Sequence, residues 1–259
     1  MPIMTAFMNL VVCLKRVPDT TAKIKIGPDG KSIDPQGIEY VVNPYDELAI
    51  EAALRLKEKA GSGEVVGLTV DPEGSDVAMR KALAIGLDRG IVVKGGPAFD
   101  PYPVAEILAA TLRTLQFDIV FFGKSAIDDD SYQVPTIVAH LLGLPRVNVC
   151  TALEVEGGRA RARRQIEGGE EVVELSLPCA ISVQKGINGI HDRRYPSVKG
   201  ILAAKSKPVQ TVPAPAFDPR LEIVRMEPPP ERPPGRIVGR GAEAVPELVR
   251  LLREEAKVL

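Results

Sequence analysis

The chain has 259 residues, 45% hydrophobic and 26% charged, enough to bury a sizeable core as one large α/β domain or two small ones. Its 33 basic and 34 acidic residues leave a net charge of −1, so no global field would collect nucleic acid or an anionic membrane. No apolar stretch approaches the roughly 20 residues that span a bilayer, and residues 1–7 lack the basic and long apolar regions of a secretory signal. Met8, which opens the first apolar pattern, reads as an alternative start.

In chain order, residues 9–14 are a short, β-branched-rich apolar run and predict a strand buried on both faces. Residues 45–59 predict a helix with Leu48, Ala49, Ala52, Ala53 and Leu56 on one face and Glu47, Glu51, Arg55 and Lys59 elsewhere. Asn43 and Pro44 read as a cap followed by a proline at the first helical position, and Gly61 follows the helix end. The alternation continues with strands at 64–70, 90–93 and 118–122 and helices at 75–85, 104–115 and 132–142, Gly86 and Gly143 again following helix ends. This order predicts an open, mostly parallel sheet flanked by helices, with right-handed crossovers.

After Leu144 strand-like segments follow one another at 147–155, 159–166, 171–177 and 179–184, separated by Gly157-Gly158, Gly168-Gly169 and Pro178. The two glycine breaks predict antiparallel hairpins that extend the edge of the same domain. Arginine alternates with alanine from Arg159 to Arg164, which predicts one basic, solvated strand face. Prolines then crowd residues 208–234 and predict an extended arm that cannot build a sheet interior. The arm leads to an amphipathic helix at 244–257, whose Val245, Leu248, Val249, Leu251 and Leu252 need an apolar surface to cover. The expected division is therefore a nucleotide-binding α/β domain at 1–207 and an arm at 208–259. The terminal helix either clasps a partner or packs back on its own domain.

Cys13, Cys150 and Cys179 sit among apolar neighbours without Cys-x-x-Cys spacing, the pattern of buried free thiols in a reducing cytoplasm. His140 and His191 have no metal-ligand spacing, so no metal is assigned. No Gly-x-Gly-x-x-Gly follows the first strand, and neither a P-loop nor a Gly-x-Ser-x-Gly occurs. Ser125 and Ser131 lack a nearby histidine, and adjacent Asp128 and Asp129 do not straddle a substrate. No catalytic residue is assigned; the chain reads as a binder.

The stretch Gly123-Lys124-Ser125-Ala126-Ile127-Asp128-Asp129-Asp130-Ser131 joins a strand to a helix, the layout of a nucleotide pocket in an open α/β sheet. Three adjacent aspartates are unexpected there, because a helix N-terminus attracts anions and a phosphate would be repelled by them. They suit ribose hydroxyls and exposed amides, while amides from Ser131 through Tyr132, Gln133 and Val134 suit a phosphate. The competing reading is simple capping by Asp130 or Ser131. Residues 13–15, 42–46, 70–72 and 123–134 are the stretches expected to converge beyond the strand ends, where together they could surround an adenosine.

These residues resemble the beta subunit of electron-transfer flavoprotein. The loop Gly123 to Gln133 is similar to that family's Gly-Lys-Gln-Ala-Ile-Asp-Asp-Asp-Cys/Ser-Asn-Gln motif, and Val12-Cys13-Leu14-Lys15-Arg16-Val17-Pro18-Asp19 to its first strand and turn. Asn43-Pro44-Tyr45-Asp46-Glu47, Ala82 to Gly90 and Arg194-Tyr195-Pro196-Ser197 add further matches in order along nearly all of the chain. The resemblance implies a Rossmann-like, adenine-nucleotide-binding fold in a heterodimer whose alpha subunit carries the redox-active FAD, with structural AMP in this chain. Electrons would pass from flavin dehydrogenases, such as acyl-CoA dehydrogenases, to a quinone reductase. The implied AMP shell is Cys13, Asn43, Pro44, Tyr45, Asp46, Val70 and the loop from Gly123 to Val134.

Tyr132 and Val134 stand where the family often has Asn and Thr, and Pro135 where glycine is common. An electron-bifurcating branch places a second FAD in this pocket and oxidises NADH; Gln133-Val134-Pro135 is similar to that branch, whereas Asp129 departs from it. A third reading is a stand-alone adenine-nucleotide-binding regulatory domain. The resemblance also makes residues 186–195 a partner-recognition loop, with Ile190 at the position of an exposed apolar anchor and Arg194 and Tyr195 beside it. Lys185, Arg193, Arg194 and Lys199 would steer an acidic partner or be solvated.

Overall fold

Short apolar runs with β-branched residues build the centre of the molecule, as the sequence predicts. The computed structural model describes residues 7–97, 99–189, 193–231 and 234–259. The chain divides into two compact units, residues 1–25 with 34–223 and residues 26–33 with 224–259.

In the larger unit the elements run β1 (Met8–Leu14), β2 (Arg16–Pro18), β3 (Tyr40–Val42), α1 (Pro44–Ala60), β4 (Gly63–Asp71), α2 (Val77–Ile85), β5 (Arg89–Lys94), α3 (Pro101–Leu112), β6 (Ile119–Gly123) and α4 (Val134–Leu142). They continue with β7 (Arg146–Glu156), β8 (Arg159–Ile166), β9 (Gly169–Ser176), β10 (Cys179–Val183), α5 (Val198–Ala204) and β11 (Val209–Pro213). Nine strands form one sheet in the order β11-β5-β4-β1-β6-β10-β7-β8-β9, while β2 and β3 pair antiparallel on their own. All contacts from β11 to β7 are parallel, and only β7-β8-β9 is antiparallel.

The parallel strands are buried on both faces because helices cover both. Val12, Phe121 and Ile181 belong to one apolar layer with Leu48, Ile50, Ala53 and Leu54 of α1 and Met79 and Leu83 of α2. Val11, Val120 and Phe122 belong to the other, with Ile107, Leu108 and Leu112 of α3 and Val138 and Ala139 of α4. Consecutive residues of β1 thus serve opposite layers, the period-2 alternation of a strand.

Strand order places the candidate site. From β1 the chain moves outward through β4 to β5, then α3 carries it back to β6 on the other side of β1. The order therefore reverses between β1 and β6, and in open α/β sheets ligands bind at such a switch point, beyond the carboxyl ends of the strands. Lys15 follows the end of β1, and Gly123 ends β6.

The hairpins β7-β8-β9 extend one sheet edge, as expected, and the alternation of β8 is clear. Ala160 and Ala162 are buried, whereas Arg159, Arg161 and Arg163 are exposed. The strand expected at 179–184 has a different placement from its sequence neighbours: after the hairpins the chain returns to the interior, where all five residues of β10 are buried between β6 and β7.

The proline-rich stretch begins in the structure with β11, an edge strand parallel to β5. Edge positions tolerate proline because one side of the strand makes no ladder bonds. Ala214 and Phe217 pack against the α3/α4 layer, and Asp100 Oδ2 accepts the N–H groups of Arg220 (2.6 Å) and Leu221 (2.8 Å). The α/β unit thus runs to residue 223, beyond the expected boundary at 207.

In the smaller unit Ile26 bridges Ile33, Met226 N donates to Gly30 O, and α6 (Val245–Glu254) follows a short 3-10 turn at Ala242–Ala244. Within α6 the Arg250 guanidinium pairs with Glu247 and Glu254 one turn away on either side. Its Val245 and Leu248 are exposed. No helix among the described residues is long and apolar enough to cross a membrane.

Candidate nucleotide site at the strand switch point

Three backbone segments meet at the switch point, and Asn43 is the hub. Its backbone N–H donates to Lys15 O (2.9 Å), and its carbonyl accepts from Asp46 N (2.9 Å) and Glu47 N (3.1 Å), starting α1. The side chain does not cap the helix as the sequence suggested. Its Nδ2 instead donates to Ser125 O (2.8 Å) and Asp46 Oδ1 (3.0 Å), while Oδ1 accepts from Ile127 N (3.2 Å). Asn43 is 1% exposed, so it holds the loop at 125–127 from inside the protein.

Asp46, one turn into α1, completes this joint. Its carboxylate accepts from Lys15 N (2.7 Å), Gly123 N (3.1 Å) and Asn43 Nδ2. It is 6% exposed, and burial pushes its pKa up to about 7 although three N–H donors favour the anion. A Cβ on Gly123 would lie 2.7 Å from Tyr45 Cβ and 2.8 Å from the Tyr45 carbonyl carbon, and closer still to Asp46 Oδ1. Glycine is therefore required where β6 touches the start of α1.

The three aspartates have partners that sequence reasoning did not assign. Lys15 Nζ bonds Asp128 Oδ1 (2.8 Å) and Asp129 Oδ2 (2.9 Å), and it lies 5.6 Å from the Phe99 ring centroid. Asp130 Oδ1 accepts from Ser125 Oγ (2.8 Å), and Asp129 Oδ1 from Ser131 N (3.1 Å). The capping reading fails on this geometry: α4 starts at Val134 after Gln133, with no side-chain cap. Two acids share one lysine, which offsets one of their two charges, and the third is engaged by a hydroxyl. The available signal for Lys15 was its position just past the first strand, where two neighbouring carboxylates need a cation.

The loop is also locally strained. Asp130 (φ 47°) and Tyr132 (φ 58°) occupy the left-handed region, which a bulky side chain such as that of Tyr132 rarely adopts. Lys124 ties this turn to α1, its Nζ lying 4.7 Å from the Tyr45 ring centroid and 5.3 Å from that of Tyr132. Hydrogen bonding with Tyr132 raises the lysine's pKa, burial opposes it by less, and Tyr45 adds a smaller rise.

Beyond this turn, the N–H groups of Tyr132 and Gln133 have no acceptor among the described residues, and both side chains are exposed. Val134 opens α4, where first-turn amides lack intrahelical acceptors. Pro135 offers no N–H.

The structure thus joins Asn43, Asp46, Gly123, Ser125, Ile127, Asp128, Asp129 and Asp130 through direct bonds or through Lys15. Tyr45, Lys124 and Tyr132 meet by ring contacts. Pro44 occupies the first turn of α1, and Ala126 and Ser131 lie within the loop. Cys13, Val70 and Val134 belong to the α3/α4 layer. Burial, with Asp46 adding to it, pushes the Cys13 thiol up; burial likewise raises Cys150 to about 11 and Cys179 to about 12. All three thiols are free and buried.

Ile190 lies outside the described residues. Tyr195 is 74% exposed. Arg194 is turned onto α1, where it pairs with Glu51 and Glu58, and Arg193 pairs with Glu47. Neither arginine is thus a bare positive charge available for steering. Glu51 was read in the sequence only as a residue off the apolar face of α1, yet it is 3% exposed.

Comparisons with known proteins agree with this architecture. The model of the electron transfer flavoprotein domain matches residues 31–217. The chain is similar to the electron transfer flavoprotein subunit beta of Syntrophomonas wolfei, 44% identical over 228 residues covering 88% of each chain. The Bacillus subtilis protein of the same name is 38% identical over 97% of this chain and 100% of its own, and the Homo sapiens one 32% over 98% and 100%. The chain belongs to the electron transfer flavoprotein family, as a beta subunit.

Proposed function

We propose that this chain forms a heterodimer with an alpha subunit that carries FAD, and that it holds AMP as a structural ligand at the β1/β6 switch point. The complex accepts electrons from flavin dehydrogenases, such as acyl-CoA dehydrogenases, and delivers them to a quinone reductase. Electron transfer is the flavin's chemistry, and this chain's residues bind, orient and support. The terminal arm clasps the alpha subunit, residues 186–195 meet the dehydrogenase, and the buried free thiols suit a cytoplasmic setting.

The observation that carries the AMP reading is the distribution of charge around the loop. Lys15 pairs with both Asp128 and Asp129 and cancels one of their two charges, and Ser125 engages Asp130, while the amides of Tyr132, Gln133 and Val134 stand at the start of α4. A monophosphate at those amides gains the favourable end of the helix dipole without facing three bare carboxylates. The aspartates retain oxygens for ribose hydroxyls, and Cys13, Val70 and Val134 supply apolar surface for a base.

A second reading, with FAD in this seat and NADH as the electron donor, is favoured by the first turn of α4. Pro135 removes one amide there, and Val134 has no polar side chain for a phosphate. Anaerobic titration separates the two. The flavin of the heterodimer is expected to be reduced by an acyl-CoA dehydrogenase with its acyl-CoA and to remain oxidised with NADH. Rapid reduction by NADH would overturn the carrier reading in favour of the second.

A further inference from the structure

Glu51, in the middle of α1, is a buried charge outside the nucleotide site and is 3% exposed. An unpaired carboxylate in such a place would be costly. Here Oε1 accepts from Arg55 Nε (2.5 Å), and Oε2 accepts from Arg194 Nε (2.6 Å) and from the Arg194 backbone N–H (3.2 Å). Burial pushes the Glu51 pKa up, but the hydrogen bonds from Arg194 and Arg55 outweigh it and leave it below the ordinary value.

The partners of Glu51 reach Asn188 on one side and Arg193 and Arg194 on the other. Arg55 Nη1 donates to Asn188 O (2.6 Å), and Asn188 Nδ2, on a residue 6% exposed, donates to Leu48 O (3.0 Å). At the other end Arg194 Nη1 also reaches Glu58 Oε1 (2.6 Å), and Arg193 pairs with Glu47. Glu47, Glu51, Arg55 and Glu58 recur at intervals of three or four residues, so they form one stripe along α1. Three carboxylates meet three guanidiniums, and the cluster has no net charge.

We infer that Glu51 is a positioning residue for docking of the flavin dehydrogenase, clamping residues 188 and 194 to α1 so that the surface beside them is presented in one conformation. Tyr195, Val198 and Leu202 follow in the chain and are exposed by 74%, 77% and 61%. Because Arg193 and Arg194 are consumed by the clamp, their contribution is geometric: they fix where apolar groups stand. A surface held in place before contact loses less conformational entropy on binding, so the clamp acts on affinity more than on the electron-transfer step. The inference rests on the reading of residues 186–195 as the dehydrogenase-facing loop.

The test uses the whole heterodimer carrying Glu51→Gln, which keeps the shape and removes the charge, with Arg194→Lys as a milder second variant. Hydrogen exchange of residues 193–197 and steady-state assays with an acyl-CoA dehydrogenase and its acyl-CoA are both measured. Glu51→Gln is expected to speed exchange and to raise the dehydrogenase's KM for the heterodimer about tenfold with kcat within twofold. Arg194→Lys should raise KM about threefold, and reduction by dithionite should be unaltered. An unchanged KM in both variants, with Tyr195→Ala raising it, would leave the loop reading standing and overturn the clamp. An unchanged KM in all three variants would overturn both. A fall in kcat with KM constant would also contradict a positioning role.

Discussion

The crevice between β1 and β6 and the hairpin extension β7-β8-β9 belong to one sheet yet handle charge in opposite ways. In the crevice Asp46 is 6% exposed and bonded to three N–H donors from three segments. On the hairpins Arg159, Arg161 and Arg163 stand in solvent, and the Arg163–Glu170 pair spans 3.7 Å with both side chains about half exposed. Solvated pairs of that kind contribute roughly 0–1 kcal/mol, whereas a buried carboxylate deprived of its donors, or donors deprived of it, costs several. Charge at the crevice thus serves geometry, and charge on the hairpins serves solubility.

Breaking that contrast begins with Asp46. Asp46→Ala leaves the N–H groups of Lys15 and Gly123 and the Asn43 amide without an acceptor, each worth about 1–3 kcal/mol, so urea unfolding should show a loss of roughly 3–5 kcal/mol. The same residue carries a pH signature. Its folded pKa, about 7, lies above the ordinary 3.8, so the native state favours the protonated carboxyl. The associated stabilisation is full below about pH 4 and lost as pH rises towards 7, a span on the order of 4 kcal/mol. Asp46→Asn should remove this component, seen as a flatter unfolding free energy between pH 4 and 7 than in the parent chain.

Gly123→Ala is next, because its Cβ meets backbone and side-chain atoms of Tyr45 and Asp46 that are fixed by α1. About 1–3 kcal/mol should be lost in urea unfolding, accompanied by loss of bound nucleotide. Lys15→Met releases two carboxylates beside the start of α4. The prediction is about tenfold weaker AMP binding by calorimetry, equivalent to about 1.4 kcal/mol, with little change in the unfolding midpoint. Arg161→Ala on the hairpin should change stability by less than about 0.5 kcal/mol. A larger loss there than at Lys15 would contradict this division of roles between crevice and hairpins.

The contrast also marks what could be read from the sequence. The four parallel strands β1, β4, β5 and β6 and the helices between them were legible because their apolar residues are contiguous or helically spaced and the buried layers use them directly. The short strands β2 and β3 carry too few residues for a period. Helix α5 escaped notice because Val198, Ile201 and Leu202 are exposed and only Ala204 is buried, so its pattern reports no core. The central place of β10 depends on pairing with β6 and β7, which no local pattern encodes.

At the candidate site the sequence singled out the loop at 123–134 and Asn43, but it could not show that Asn43 abandons helix capping for Ser125 and Ile127, or that Lys15 reaches Asp128 and Asp129. Those bonds join residues about 80 to 110 positions apart and exist only once the sheet has brought β1, β6 and α1 together. Glu51 shows the same limit. On a helical wheel it is a charged residue off the apolar face, and only the fold places Arg194 over it.

Quantifying the bound cofactors decides whether the β1/β6 crevice is an AMP seat in a complex with one flavin. Acid release from the heterodimer purified with its alpha subunit should yield one FAD and one AMP per complex, with AMP lost in Gly123→Ala. Two FAD and no AMP would contradict it and assign the crevice to a second flavin.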